Sequence, residues 1–250
     1  MKVNFFYSYL FSSFYLLYGI SICQPVYNYH LLHADNGLTQ NSVSDVFKDS
    51  EGFLWIGTAD GINRWDGLNF KYYYHNPKDP SSIGGLSYYI FHEDQNRNLW
   101  VAHDKGISVY NKYSDKFINS YINYKEAAII GEYDQWLYIY SHHSILRINI
   151  NTFKTEVLLN TPDIMAHNDN TIFRHQRKFI RDAMFIKTAS DIYCYNASSN
   201  SLSPFIHTPK NIYSGLIPKP FQDEYYCFSD DSVFIISYRN GEAYYITKPS

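Results

Sequence analysis

Histidines, paired carboxylates and cysteines are the residues of this chain whose types could do chemistry. Ten histidines invite a metal or acid-base role, and His142-His143 are adjacent. Neighbouring residues of a β-segment point to opposite faces, and no third ligand is spaced to complete a coordination set. The pair therefore reads as a loop at a hairpin tip, and His30, His33 and His103 read as surface loops. Glu93-Asp94 and Asp230-Asp231 are the carboxylate pairs, in turn-like contexts that suit solvated residues better than a glycosidase pair. Cys194 and Cys227 have no metal-ligand spacing and read as two buried free thiols, with a disulfide as the alternative. No nucleophile elbow, phosphate-cradling glycine loop, phosphoacceptor segment or ATP lid occurs in the sequence. The expectation is a chain that is not an enzyme and uses no metal or cofactor.

What remains is aromatic. The 26 Tyr, 17 Phe and 4 Trp suit pleated, half-buried surfaces. Tyr72-Tyr73-Tyr74 and Tyr88-Tyr89 must each send at least one ring toward solvent if they lie on strands, and such rings can stack on sugar faces. The formal net charge is −3 and no basic run occurs, so nucleic acid is not an expected partner. From Phe5 to Ile22 the chain is apolar and uncharged behind Lys2, as an export signal is, with an uncleaved membrane anchor as the alternative. The expected division is a signal over 1–23 and one folded region over 24–250, exported to the periplasm.

The elements that must position any site are set by a repeat. Leu54-Trp55-Ile56-Gly57-Thr58-Ala59-Asp60-Gly61-Ile62-Asn63-Arg64-Trp65-Asp66 recurs without a gap 45 residues later, at Leu99 to Asn111. Fainter copies run over 137–149, 184–196 and 225–237. Each is an apolar run, a polar turn and a second apolar run, which is a hairpin. Gly61 and Gly106 supply positive φ at the reversals, and Asp66 and Asn111 can satisfy backbone donors in the turn that follows. Trp55, Trp65, Trp100 and Tyr110, with Gly57, stand at repeat positions, and the tryptophans read as wedges between units. An inner strand precedes each hairpin, at Ser42 to Phe47 and Ser87 to Phe91, and an outer one follows, near Phe70, Phe117, Phe153, Leu202 and Tyr244. Four short antiparallel strands per repeat specify an all-β fold, a β-propeller of four-stranded blades with about five blades visible.

The wording of the first two copies resembles the two-component regulator propeller repeat. The resemblance is carried by Gly37-Leu38-Thr39-Gln40-Asn41-Ser42-Val43, Asp49 to Thr58 and Asp60 to Gly67, and extends over 27–117. It implies a seven-bladed ring of which this chain is an incomplete part, with Val26 to Leu32 as the strand completing the last blade. It also implies the sensor region of a hybrid histidine kinase, truncated before the kinase. The partners so implied are an extracellular small molecule or oligosaccharide, the remaining blades and signalling domains of a receptor, and a homodimer partner. The inner strands and the loops before them would form the mouth of the propeller axis. The candidate ligand residues there are Thr39, Gln40, Asn41 and Ser42 in the first copy and Ser82, Gly84, Gly85 and Ser87 in the second, with turn-forming roles as the alternative. An exported polysaccharide-active propeller enzyme or an adhesion propeller are the rival functions.

Overall fold

The computed structural model describes residues 31–122, 127–141, 144–160, 179, 182–187, 191–207, 217–218, 224–228, 233–239 and 242–247. The export segment, His30, His142-His143 and Asp230-Asp231 lie outside the described residues. So do residues 26–30 of the expected first strand, and 31–32 carry no strand. The chain divides into Met1–Leu32 and His33–Ser250, and every described strand belongs to the second unit.

That unit is a succession of antiparallel sheets, each ordered as its strands follow in sequence. Blade 1 is β1 (Val43–Lys48), β2 (Leu54–Thr58), β3 (Gly61–Trp65) and β4 (Phe70–Tyr73). Blade 2 is β5 (Ile90–Glu93), β6 (Leu99–His103), β7 (Gly106–Asn111) and β8 (Lys116–Ile122). Blade 3 is β9 (Ala128–Tyr133), β10 (Trp136–Ser141), β11 (Ser144–Asn149) and β12 (Thr155–Asn160). Blade 4 has three described strands, β13 (Ala183–Lys187), β14 (Asp191–Asn196) and β15 (Ser201–His207). Blade 5 is β16 (Ile217–Pro218), β17 (Glu224–Phe228), β18 (Val233–Arg239) and β19 (Glu242–Thr247). The central hairpins fall where the repeat puts them. Leu54 pairs with Trp65, Leu99 with Tyr110, Leu137 with Ile148, Met184 with Tyr195 and Tyr225 with Ile236. The architecture is a β-propeller array.

Turn chemistry closes the strands locally. Gly61 has φ +100°, and a Cβ there would lie 2.7 Å from the Tyr73 carbonyl oxygen. After the third strand, Asp66 Oδ1 accepts from the amides of Leu68 (2.8 Å) and Asn69 (2.7 Å). Asn111 Oδ1 does the same for Tyr113 and Ser114, and Asn149 Oδ1 for Asn151 and Thr152. This side-chain mimicry of a turn is what Asx residues do.

Packing between blades obeys a second rule. Trp55 of blade 1 is buried against Tyr110 of blade 2, edge to face, ring centroids 4.8 Å apart and planes inclined by 65°. Tyr138 of blade 3 meets Tyr195 of blade 4 at 5.8 Å, and these two residues are the repeat counterparts of Trp55 and Tyr110. Between blades 2 and 3 the counterpart of Tyr110 is Ile148, which packs in the same core as Trp100 but has no ring, and the ring partner of Trp100 is Phe153, at 5.6 Å. Five residues after Tyr110, Ile148 and Tyr195 stand Asp115, Phe153 and Asn200, all with left-handed backbone. Asp115 and Asn200 accept the tyrosine hydroxyls of their own blades, at 2.6 and 2.9 Å. Phe153 supplies the missing ring. A bulky non-glycine residue in that conformation is costly, and its packing on Trp100 offsets the strain.

Asp115 also knits blade 1 to blade 2, accepting from Tyr73 Oη (2.7 Å) and from the ammonium of Lys71. Burial would raise its carboxyl, but the bonds from Lys71, Tyr110 and Tyr73 prevail and hold it at about 2. Arg64 donates to Tyr110 Oη at 2.8 Å and lies 4.5 Å from the Phe53 ring centroid. Its repeat counterpart Arg147 lies 4.0 Å from the centroid of Trp136, the counterpart of Phe53.

One expectation is corrected. Asp94 is a buried clamp, 3% exposed. Its Oδ2 accepts the Trp100 indole at 2.8 Å while Oδ1 accepts the amides of Asn96 and Asn98, both at 2.9 Å. Asp49 repeats the arrangement with Trp55, Glu51 and Phe53. Each indole hydrogen must find an acceptor once the ring is buried, and this aspartate is the nearest one the turn offers. Trp65 does not wedge against blade 2. Its described ring neighbour is Phe70 of its own blade, because β-alternation gives the blade 2 side to Arg64.

Asp94→Ala strands the buried Trp100 indole, loosens the turn at Asn96 and Asn98, and is expected to destabilise the protein by about 2–4 kcal/mol in chemical denaturation. Asp49→Ala, at a less buried copy of the clamp, should cost about half as much.

Candidate functional site

The first strands of successive blades run side by side and are laced by side chains. Ser44 Oγ donates to the Tyr89 carbonyl at 3.0 Å, and Asp45 Oδ2 accepts from the Phe91 amide at 2.9 Å. Gly57 permits this approach, since a Cβ there would meet Tyr89 Cβ at 2.7 Å and Ser44 Oγ at 2.8 Å. At one end of these strands the entry loops of blades 1 and 2 meet the tips of their central hairpins. The Ala59 amide donates to the Ser42 carbonyl at 3.0 Å, and the Asp104 amide to the Ser87 carbonyl at 3.3 Å. Asp104 Oδ1 accepts in return from the Leu86 amide at 2.8 Å. Entry loops and hairpin tips of blades 1 and 2 therefore gather at the same strand ends.

Most of the candidate ligand residues occupy this end, and their polar atoms are engaged to different degrees. Thr39 is tied to blade 1, its Oγ1 2.8 Å from Thr58 Oγ1 and its amide donating to Asn63 Oδ1 at 2.9 Å. Asn41 Oδ1 accepts from the Ala34 amide at 2.8 Å, and Gln40 Oε1 from the Ser42 amide. Gln40, Asn41 and Ser42 are nevertheless exposed. Ser82 is spent within its own loop, donating to the Asn76 and Asp79 carbonyls. Gly85 is buried, and a Cβ there would lie 2.4 Å from His103. Gly84 and Ser87 are half-buried. The large exposed groups at this end are Val43, Leu86 and Tyr88, of which Tyr88 is 62% exposed with φ +58°. Val43 and Leu86 are absent from the sequence-based set, although Val43 and Tyr88 share one repeat position. Only the left-handed backbone of Tyr88, invisible in the sequence, marks that position as unusual.

His103 is buried within β6, 4% exposed, which corrects its reading as a surface loop. A turn residue would be wet, but here the loop through Gly85 lies directly over the ring. The Lys105 amide donates to His103 Nδ1 at 3.2 Å, so the ring hydrogen sits on Nε2, 2.8 Å from Ser108 Oγ. The Ser108 hydroxyl donates to Asn119 Oδ1 at 2.6 Å, and Asn119 Nδ2 donates to the carbonyls of Pro80 and Ser82. This polarity is opposite to a nucleophile's: a serine nucleophile needs a histidine that accepts its proton. Ser108 is itself fully buried. The chain of bonds anchors the loop 80–85 onto blade 2. Among the described residues, no three His, Cys, Asp or Glu side chains converge as a metal site. Cys194 is a free, half-buried thiol, driven up to about 11 by burial and then by Asp182. The arrangement offers exposed amides, hydroxyls and one aromatic ring, which can bind a ligand without transforming it.

Comparison with known proteins agrees with this fold. Residues 37–60 match the family described as two component regulator propeller. A segment of 48 residues is 52% identical to Histidine kinase P4 of Formosa agariphila, and is 19% of this chain and 4% of the kinase. A solved structure described as the extracellular domain of the hybrid two component system BT3049 from B. thetaiotaomicron superposes with a TM-score of 0.61 at 16% identity. It covers 86% of this chain and 31% of that domain. PorZ, a surface component of the type-IX secretion system of Porphyromonas gingivalis, gives 0.57 at 11% identity, over 86% of this chain and 28% of its own. These structures share the fold, and this chain spans less than a third of either.

The buried imidazole generates an acid-side prediction. Burial lowers the folded pKa of His103 to about 4 from an ordinary 6.5. The unfolded chain thus takes up the proton first, and this contribution is complete above 6.5 and lost as the pH falls toward 4. Urea midpoints should decline across that window in the wild type and more shallowly in His103→Gln.

Proposed function

We propose that the chain is the ligand-sensing propeller module of a two-component receptor, displayed outside the cytoplasm, and that its ligand is a carbohydrate. One observation carries this reading. The residues that match the regulator repeat, 37–60, are those that build the entry loop, the first strand and the hairpin tip of blade 1. The matched segment thus makes the blade 1 half of the candidate site. The kinship of 48 residues with a histidine kinase supports placing the output on a separate domain. The solved extracellular domains that share the fold support an exported location, with Phe5 to Ile22 as the export segment. Among the described residues no helix is long and apolar enough to cross a membrane.

A sensor of this kind needs to bind, not to react. Exposed side-chain amides and hydroxyls at Gln40, Asn41 and Ser42 suit sugar hydroxyls, and Tyr88 adds an exposed aromatic side chain on the entry loop of blade 2. Binding would tie the entry loops of two blades together. Because each loop is bonded to its own hairpin tip, a ligand spanning both would bias the arrangement of a receptor pair, which is the signal.

The reading predicts that an oligosaccharide from a broad glycan panel raises the thermal midpoint of the protein, and that Tyr88→Ala or Asn41→Ala reduces that rise. Stabilisation by none of the panel, with the fold intact by circular dichroism, would overturn the carbohydrate assignment.

A further inference from the structure

The entry loops of blades 1 and 2 occupy equivalent places and are fastened by different chemistry. In blade 1, Thr39 Oγ1 lies 2.8 Å from Thr58 Oγ1 and accepts from Asn63 Nδ2 at 2.8 Å, while the Thr39 amide donates to Asn63 Oδ1 at 2.9 Å. The Tyr72 hydroxyl completes the tie by donating to the Gly37 carbonyl at 2.8 Å. Hydroxyls and amides take up no proton in mild acid. In blade 2 the repeat puts His103 where Thr58 stands and Ser108 where Asn63 stands. The Gly84 amide reaches Ser108 Oγ at 3.4 Å, as Thr39 reaches Asn63, and Asn119 of the outer strand holds the Pro80 and Ser82 carbonyls.

Two imidazoles then close on one lysine. His75 is half-buried, with Nδ1 2.8 Å from the Ile83 carbonyl, which can only accept. The ring hydrogen of His75 therefore sits on Nδ1, and the bare Nε2 faces the Lys105 ammonium at 3.3 Å. The Lys105 amide donates to Nδ1 of His103 at 3.2 Å. Lys105 thus donates twice, from side chain and backbone, and each time to an imidazole nitrogen that must carry no proton. The loop is caught between the two rings. His75 holds it at Ile83, and Gly84 and Gly85 lie over His103, where added Cβ atoms would come within 3.1 and 2.4 Å of the ring. Asp104 Oδ1 takes the amides of Leu86 (2.8 Å) and Ser87 (3.4 Å), and Tyr89 Oη donates to the Gly85 carbonyl at 2.9 Å.

A proton on either ring breaks this arrangement. On His75 it would set imidazolium against ammonium across 3.3 Å. On His103 it would remove the acceptor of the Lys105 amide and leave a charge among buried groups. Burial is the largest influence on His103 and opposes its proton; Asp104 favours one, Lys105 and His75 oppose it, and the ring is held down at about 4. The other charges near the loop are Asp79 within it, kept ionised by Ser81 and influenced by Lys116, and Asp60 on the blade 1 tip, which acts with Asp104 on Tyr89. Opening the loop returns His103 toward an ordinary 6.5, so opening is favoured as the pH falls from 6.5 toward 4.

We propose that the entry loop of blade 2 is a pH-released strap: His75 and His103, neutral and joined through Lys105, hold residues 76–87 on the hairpin tip, and protonation frees them while the entry loop of blade 1 stays fastened. Its consequence for binding rests on the entry-loop site proposed above, because the strap carries Ser82, Gly84, Gly85 and Ser87 and leads into Tyr88. Acid dismantles the blade 2 half of that site and spares the blade 1 half.

Hydrogen–deuterium exchange of the full chain, read by mass spectrometry from about pH 7.5 to about pH 5 and corrected for the intrinsic pH dependence of exchange, tests the strap with no ligand present. Protection over residues 80–87 is expected to fall by about tenfold or more across that range, and protection over 37–44 to change by less than about twofold. In His75→Gln/His103→Gln, whose side chains hydrogen-bond but do not titrate, the fall over 80–87 should shrink to about twofold or less. Equal falls over both segments of the wild type would mean that acid loosens the blades as a whole, and would overturn the strap. Constant protection over 80–87, or an undiminished fall in a folded double variant, would overturn it too. The wild-type contrast decides alone where the variant fails to fold. Because no ligand enters the measurement, the strap can fail while the carbohydrate reading stands, and the glycan panel can fail while the strap stands.

Discussion

A four-stranded sheet that is apolar on both faces is not stable alone, and the ring that fills the gap between one such sheet and the next is the constraint on which this protein depends. At the first seam the filler is Trp55 against Tyr110, at the second Trp100 against Phe153, and at the third Tyr138 against Tyr195. The substitution of partner at the second seam shows that the geometry of the gap is held while the residue is not. Where the third strand ends in tyrosine, a carboxylate or amide five residues later receives its hydroxyl. Where it ends in Ile148, the same left-handed position becomes a phenylalanine and supplies the ring itself.

The polar chemistry of the molecule is arranged around those rings. Burying an indole obliges its N–H to find an acceptor, and Asp94 and Asp49 are present at the same turn of consecutive blades for that purpose. Burying tyrosines obliges an acceptor for each hydroxyl, which makes Asp115 a junction for two blades. Even the Ser108–His103 pair, which by type alone could be a nucleophile and its base, is a buried brace. Its hydrogen-bond direction runs from imidazole to serine to amide and ends on the loop carbonyls. His103 and Asp104 hold the entry loop of blade 2 in place.

Function then falls to what the seams leave uncovered. The strand ends present amides, hydroxyls and Tyr88. That surface rests on strands whose faces are packed, which keeps its geometry fixed and suits recognition better than loops alone. The regulator-repeat match covers its blade 1 part, residues 37–60.

The sequence by itself determined the strands, their turns and their order, because a hairpin is local. Alternation, Gly61 and the Asx side chains at Asp66, Asn111 and Asn149 act within a few residues of one another, and five copies in register specify the blade. It also located the entry loops of blades 1 and 2, since Ser42 and Ser87 precede Leu54 and Leu99 by the same number of residues. What only the tertiary structure decided depends on partners tens of residues away. That Asp94 is buried beneath Trp100, that His103 is covered by the loop through Gly85, that Trp65 faces away from blade 2, and that Tyr88 is held out in a left-handed conformation all follow from how one blade meets the next. Residue type and spacing record the pleat of a strand, but which of its two faces is covered is set by the neighbouring sheet.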